Sequence, residues 1–300
     1  MNNESPAESG SASAGAPEVV LVNGSPGPPV AASQAVSPFD RGLHFGDGLF
    51  ETIACRRGRP RFLSWHLERL ALGCARLHMA EPDLEEIREE VRALARDVDS
   101  AILKVILTRG PAVARGYAPT GRENPTRITF RYAWPAENPA WSQDGVRVRT
   151  AALRLGENPA LAGLKHLNRL EQVMTKAEST DAQIAESVLF SSSGRLISGT
   201  MTNIFIVRKS LVYTPRVDLC GVAGVMRRWV LNEAASMNLS CEEAVLRAGD
   251  LEDADEIFLT NARIGIWPVR QFDARSLEPG PVTRGLQQRL APILEDPKDA

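Results

Sequence analysis

A stretch rich in Pro, Asn, Asp and Gly, residues 135–145 (PAENPAWSQDG), cuts this chain into two halves. Each half carries its own short β-branched runs and its own amphipathic helices. The strands do not alternate regularly with helices, so a doubly wound parallel sheet is not expected. The predicted class is α+β, with two α/β subdomains and a cleft between them. The boundaries read as a disordered tail over 1–17, a smaller domain over 18–135, a linker over 136–145 and a larger domain over 146–295. The tail is mostly Ser, Ala, Gly, Pro and Glu, too poor in apolar residues to order itself.

Composition removes several classes of function. A formal charge of −2 over 300 residues leaves no basic footprint for nucleic acid or an anionic membrane. No apolar run approaches the ~18 residues of a membrane span, and the N-terminus lacks the basic and apolar regions of a secretory signal. Cys55, Cys74, Cys220 and Cys241 are scattered without a CxxC, which fits reduced thiols in a cytoplasmic protein. His44, His66, His78 and His166 show no metal-ligand spacing, and no metal is expected.

In the first half, residues 19–22 form a strand that ends at the Asn23-Gly24 turn, with loop over 25–29. Residues 39–52, FDRGLHFGDGLFET, place Gly42, Gly46 and Gly48 before a buried strand over 49–55; glycine there also lets backbone approach a ligand. Ser64 is the expected N-cap of the next helix, which sets Leu67, Leu70, Ala71 and Cys74 on one face with Arg69 at its edge. A second helix starts at Pro82, with Leu84, Ile87, Val91, Leu94 and Val98 at steps of three and four. Strands follow over 101–108 and 127–133, joined by a loop carrying Arg109 and Arg115.

The second half opens with a strand over 146–150. Further strands are expected over 187–190, 196–197, 203–208, 211–213 and 256–259, with Ser193-Gly194 as a hairpin turn. A helix over 225–237 begins just after CGVAG; the free N–H groups of such a start suit an anion, and many helices also simply begin after a glycine. Residues 260–262, TNA, precede a short helical turn. A closing helix runs from Pro281 to be stopped by Pro292.

The chemistry centres on residues 159–174, PALAGLKHLNRLEQVM. Arg is the default cation in this chain, which has only five lysines: Lys104, Lys165, Lys176, Lys209 and Lys298. A lysine can shed its proton and attack a carbonyl, which an arginine cannot do. Lys165 sits among Leu161, Ala162, Gly163, Leu164, Leu167 and Leu170, and an apolar setting depresses an amine's pKa. The same residues also suit a lysine that runs its charge out to water. Lys104, inside the 101–108 strand, is the main rival as a buried amine.

Read in order, DRGLHFGDGLFET, HLERL, RGPAVARGY, LAGLKHLNRLEQV, SGTMTNIF, GVAGVMR and TNA resemble the fold-type IV pyridoxal-phosphate enzymes, over about residues 19–290. That group includes the branched-chain and D-amino-acid aminotransferases. LAGLKHLNRLEQV is most similar to the 4-amino-4-deoxychorismate lyases, which make 4-aminobenzoate and pyruvate for folate biosynthesis. The resemblance implies pyridoxal 5'-phosphate as cofactor, a small-molecule substrate and a homodimer. It implies that Lys165 carries the cofactor and transfers the proton. Arg69, the N–H groups of Val225 and Met226, and the side chain of Asn261 would cup the phosphate, with Asn203 also at the cofactor. Asn168 or Arg169 would orient Lys165 or the cofactor's phenolic oxygen. Thr52, Arg109, Arg115 and Asn168 would face the substrate, whose two carboxylates call for cations. His44 is expected to pack or to bond backbone.

One position departs from the family pattern. Where these enzymes commonly set a glutamate against the pyridine nitrogen, this chain has Ser198. A hydroxyl hydrogen-bonds that nitrogen but does not hold it protonated. A lyase whose product becomes aromatic needs the electron sink less than a transaminase does, so Ser198 favours the lyase. An aminotransferase on the same scaffold is the alternative, and a non-catalytic cofactor-binding protein is the distant one.

Overall fold

A computed structural model describes residues 15–27, 36–136 and 138–297. Most of the expected tail and the end of the expected 25–29 loop lie outside the described residues. Pro17, expected in the tail, belongs to strand β1 (Pro17–Val22), which turns at Asn23-Gly24 into β2 (Ser25–Gly27), a strand where a loop was expected.

Helix α1 (Arg41–Phe45) leads through Gly46 into β3 (Gly48–Arg56), and β4 (Arg59–Pro60) hairpins back on it. Two helices follow, α2 (Leu63–Arg76) and α3 (Leu84–Ala95), then β5 (Ser100–Thr108) and β6 (Thr126–Ala133). The sheet order is β2-β1-β6-β5-β3-β4. Leu49, Ile53, Leu103 and Val105 point from one face of this sheet onto Leu67, Leu70, Ile87 and Val91 of the two helices. Each fully buried aliphatic side chain of this kind contributes about 1.5–3 kcal/mol.

Two helix starts differ from expectation. The N-cap of α2 is Phe62, at φ 52°, not Ser64. Burial decides this: the Phe62 ring stacks on Trp65 and reaches into the apolar core of the second half. Helix α3 begins after Asp83 rather than at Pro82, because the Asp83 carboxylate accepts the Glu86 N–H at 2.9 Å.

After the short helix α4 (Ala140–Gln143), the second half builds a nine-stranded sheet. Its elements are β7 (Val146–Leu155), α5 (Leu170–Ala177), β8 (Ile184–Ser191), β9 (Leu196–Gly199), β10 (Asn203–Arg208), β11 (Leu211–Pro215), α6 (Val225–Ser236), β12 (Cys241–Ala244), α7 (Ala248–Glu252), β13 (Glu256–Asn261), β14 (Gly265–Phe272), β15 (Arg275–Ser276) and α8 (Pro281–Glu295). The order is β12-β11-β10-β13-β14-β7-β8-β9, with β15 beside β14. Strand β10 shows why both faces are covered. Ile204 and Ile206 enter one core, while Phe205 and Val207 enter another beneath α6 and α8. Pro292 does not stop the last helix, which continues to Glu295. Residues 262–264 form a turn instead of a helical one, and it feeds β14, a strand not anticipated. The α+β expectation holds.

Candidate active site

The Lys165 segment stitches the two halves together. On one side Phe50 N–H donates to the Lys165 carbonyl and Leu167 N–H to the Gly48 carbonyl, both at 3.0 Å. On the other, Gly163 N–H donates to Gly221 and Ala223 N–H to Gly163, again at 3.0 Å. Residues 163–167 are therefore non-helical, with isolated β-bridges at Gly163 and His166, and the helix expected to grow from them begins only at Leu170. The glycines of FGDG allow the approach. Gly46 has φ 63°, and a Cβ there would stand 2.5 Å from the Asn168 carboxamide oxygen. Asn168 in turn donates to the Gly46 carbonyl at 3.2 Å.

This stitching holds the Lys165 amine against the first half, its Nζ 4.1 Å from the centroid of the Phe50 ring. Removal from water pushes the amine down to about 7, and the Arg69 guanidinium pushes the same way while Glu51 opposes. A large share of the amine is neutral near pH 7.

Beneath it lies a buried network that sequence reasoning missed. Glu51, on β3, accepts from Arg69 Nε at 2.8 Å and Nη2 at 2.5 Å, and from His66 Nδ1 at 2.6 Å. Burial alone would raise the Glu51 carboxyl, but Arg69 and His66 outweigh it and hold it at about 2. Burial lowers the His66 pKa, so the ring is neutral, and its Nδ1–H is the donor to an acceptor-only carboxylate. The signal was present in the period-two pattern, which places Glu51 between Leu49 and Ile53 on the core face.

Arg69 was expected to grip the cofactor phosphate with both arms. Its two-pronged edge is instead on Glu51, and its remaining Nη1 donates to the Ala223 carbonyl at 2.9 Å. That places the guanidinium beside the N-terminus of α6. The N-cap there, Gly224, offers no side chain, so the first N–H groups, those of Val225 and Met226, are uncapped. A Cβ on Gly224 would fall 2.0 Å from the Asn203 carboxamide oxygen. A helix start that admits backbone only, with a guanidinium alongside, has the donors that a phosphate requires.

Both asparagines are hydrogen-bonded within this region, including Asn261, whose side chain was expected at the phosphate. Asn261 donates to the Met201 carbonyl at 3.2 Å and accepts the Arg263 and Ile264 N–H groups at 2.9 Å. Asn203 donates to the Val222 carbonyl at 2.9 Å. The loop between β9 and β10 is tied down by fully buried Glu186, which accepts the Met201 N–H at 3.0 Å and the hydroxyls of Thr200 and Thr202. Ser198, on β9, is buried, and no hydrogen bond engages its hydroxyl among the described residues.

Two proposed substrate cations change status. Arg109 is buried and fully engaged: its guanidinium holds Asp47 at 2.8 and 3.1 Å and the Leu77 and His78 carbonyls at 2.8 Å. Burial would raise the Asp47 carboxyl, yet Arg109 and Arg41 together hold it below its ordinary value. Arg109 is therefore a clamp on loops, not a free cation. Arg115 is exposed in the 109–125 loop and meets no partner among the described residues. Thr52 lies on the same face of β3 as Phe50, directly across from Lys104. His44 Nε2 bonds the Pro38 carbonyl at 2.7 Å. A cavity of about 300 Å³ adjoins the segment, lined in part by His166, Asn168, Arg169 and Gly221.

Known proteins are similar to this chain in sequence and fold. The chain is 36% identical over 255 residues to an aminodeoxychorismate lyase of Vibrio harveyi, covering 84% of this chain and 94% of that protein. It is 29% identical to a D-alanine aminotransferase of Bacillus licheniformis, covering 85% and 90%. Its fold superposes on the crystal structure of 4-amino-4-deoxychorismate lyase from Pseudomonas aeruginosa with a TM-score of 0.86 and 40% identity, covering 92% of this chain and 99% of that one. The family model for amino-transferase class IV matches residues 48–272, from the strand that carries Phe50 and Glu51 to the end of β14, and to that family this chain belongs.

Proposed function

We propose that the protein is a pyridoxal-phosphate-dependent lyase that converts 4-amino-4-deoxychorismate to 4-aminobenzoate and pyruvate. The observation that carries this reading is Lys165: an amine held near pKa 7, within the LAGLKHLNRLEQV segment, pinned between both halves by backbone hydrogen bonds. The two lyases that match at 36% and 40% identity over most of their length support the choice of reaction. The residues fit the cofactor: uncapped N–H groups and Arg69 for its phosphate, the Ser198 hydroxyl for its ring nitrogen, and Lys165 for its aldehyde.

When bound, pyridoxal phosphate supplies a carbonyl that condenses with amines and a ring that draws electrons from the carbon beside the nitrogen. The chain's own residues do the rest. Lys165 Nζ takes the proton from the ring carbon that bears the substrate amine. Positioned proton transfer of this kind is worth ~10²–10⁴-fold. The C–O bond to the neighbouring enolpyruvyl group then breaks with its electron pair going to oxygen, the enolpyruvate takes up the proton that Lys165 removed and leaves as pyruvate, and the six-membered ring becomes aromatic. Glu51 fixes Arg69, and Glu186 fixes the β9–β10 loop, so the phosphate site is rigid before ligand arrives.

The protein works as a homodimer in the cytoplasm. Exposed Leu170, Val173 and Met174 form an apolar stripe on α5 that a second copy would cover, and its four cysteines are free thiols.

The test is to mix cofactor-loaded protein with 4-amino-4-deoxychorismate and follow 4-aminobenzoate by fluorescence. Release of 4-aminobenzoate supports the lyase. No release, with an absorbance change on adding D-alanine, L-glutamate or L-leucine instead, would establish the aminotransferase that the D-alanine aminotransferase relative makes the second reading.

A further inference from the structure

With Arg109 engaged and Arg115 out in a loop, the substrate lacks an obvious cation. The first half holds one that nothing so far has used. Lys104 lies on β5, directly across from Thr52 on β3 and from Phe130 on β6. Its Nζ stands 5.5 Å from the centroid of the Phe50 ring, the same ring that Lys165 Nζ approaches at 4.1 Å. Among the described residues no carboxylate pairs with Lys104. The nearest acid along β3, Glu51, points to the opposite face, where Arg69 and His66 hold it. Burial lowers the Lys104 amine, and no opposing charge offsets it. A half-buried cation without a counter-ion, beside a free threonine hydroxyl and an aromatic face, is arranged for an anion that arrives with the ligand.

We propose that Lys104, with Thr52 beside it, binds the ring carboxylate of the substrate. The ligand carries an amine at one end for the Lys165 position, a six-membered ring to lie along Phe50, and a carboxylate at the opposite end for Lys104. The identity of that carboxylate rests on the lyase reading; the presence of a carboxylate subsite at Lys104 rests on the geometry. A ligand carboxylate there also neutralises a cation that repels the protonated form of Lys165.

The experiment uses the cofactor-loaded protein, with Lys104→Met and Lys104→Arg as variants. Dissociation constants are measured for 4-aminobenzoate and for aniline, the same ring and amine without the carboxylate. Lys104→Met should weaken 4-aminobenzoate by about 10–100-fold, the usual effect of losing a charged hydrogen bond, and leave aniline within about twofold. Lys104→Arg should recover part of the loss. The visible cofactor band should persist in both variants, which shows that the fold and the Lys165 site survive. Equal losses for both ligands, or no loss for either, overturns the assignment. The binding comparison needs no turnover, so it stands apart from the lyase test: wild-type protein that fails to release 4-aminobenzoate from substrate sinks the reaction, while unchanged carboxylate preference in Lys104→Met sinks the subsite.

Discussion

Replacing Glu51 by Gln tests the network under the active site. Glu51 is 1% exposed and shares two oxygens among Arg69 and His66. The substitution keeps the shape but leaves the Arg69 guanidinium without its counter-charge, and breaking a buried pair this way costs about 3–5 kcal/mol. The acid dependence provides a second, independent handle. Folding depresses the Glu51 carboxyl from 4.5 to about 2, so its contribution is complete above the unfolded value and is lost as pH falls towards the folded one. At ~1.4 kcal/mol per pH unit, that amounts to roughly 3 kcal/mol released across the window. Urea unfolding of wild type and Glu51→Gln at pH 7 and pH 3 reads both. The variant should be less stable by about 3–5 kcal/mol at pH 7, and the gap should narrow substantially at pH 3. A variant as stable as wild type at pH 7, or a gap that is independent of pH, refutes the claim that a charged Glu51 anchors Arg69.

Two further outcomes follow from the same geometry. In cofactor-free protein, acylation of Lys165 by an amine-selective reagent, followed by peptide mass analysis, should show a midpoint near pH 7; Arg69→Met should move it up and Glu51→Gln down, because the first repels and the second attracts the ammonium. A midpoint near 10 would remove the basis for a neutral amine. Gly224→Ala drives a Cβ to 2.0 Å from the Asn203 carboxamide oxygen at the uncapped start of α6, so affinity for pyridoxal phosphate, or for inorganic phosphate as a probe, should fall about tenfold or more; unchanged affinity would remove the phosphate from that helix start.

The strands that carry the site were legible because β-branched runs with turn residues at their ends need little context: β3, β5, β6 and β10 all read this way. Lys165 stood out because it is rare in type and apolar in setting, whereas the helix start after CGVAG was a weak signal by itself, since many helices begin after a glycine, and gained meaning only beside the other motifs. What escaped depended on partners distant in sequence. Arg109 looked like a free cation, since nothing nearby in the chain shows that Asp47 and the carbonyls of Leu77 and His78 enclose it. Strand β14 was hidden by Pro268, which breaks a strand pattern; its pairing with β7 begins only at Val269, so the missing N–H falls before that ladder starts. Phe62 displaced Ser64 as the N-cap because a buried aromatic contributes more than a hydroxyl cap of about 1 kcal/mol. Pro292 sits near a helix end, where one lost hydrogen bond and the surrounding contacts of Leu290 and Leu294 let the helix run past it.

We propose that Lys165, and not Lys104, bears the cofactor. The direct measurement is to load the protein with pyridoxal phosphate, reduce it with borohydride, digest it and locate the pyridoxyl label by mass spectrometry. The label should fall on the peptide containing Lys165, with none there in Lys165→Ala, while Lys104→Ala labels as wild type does. A label on Lys104, or none on either lysine in loaded protein, would contradict it.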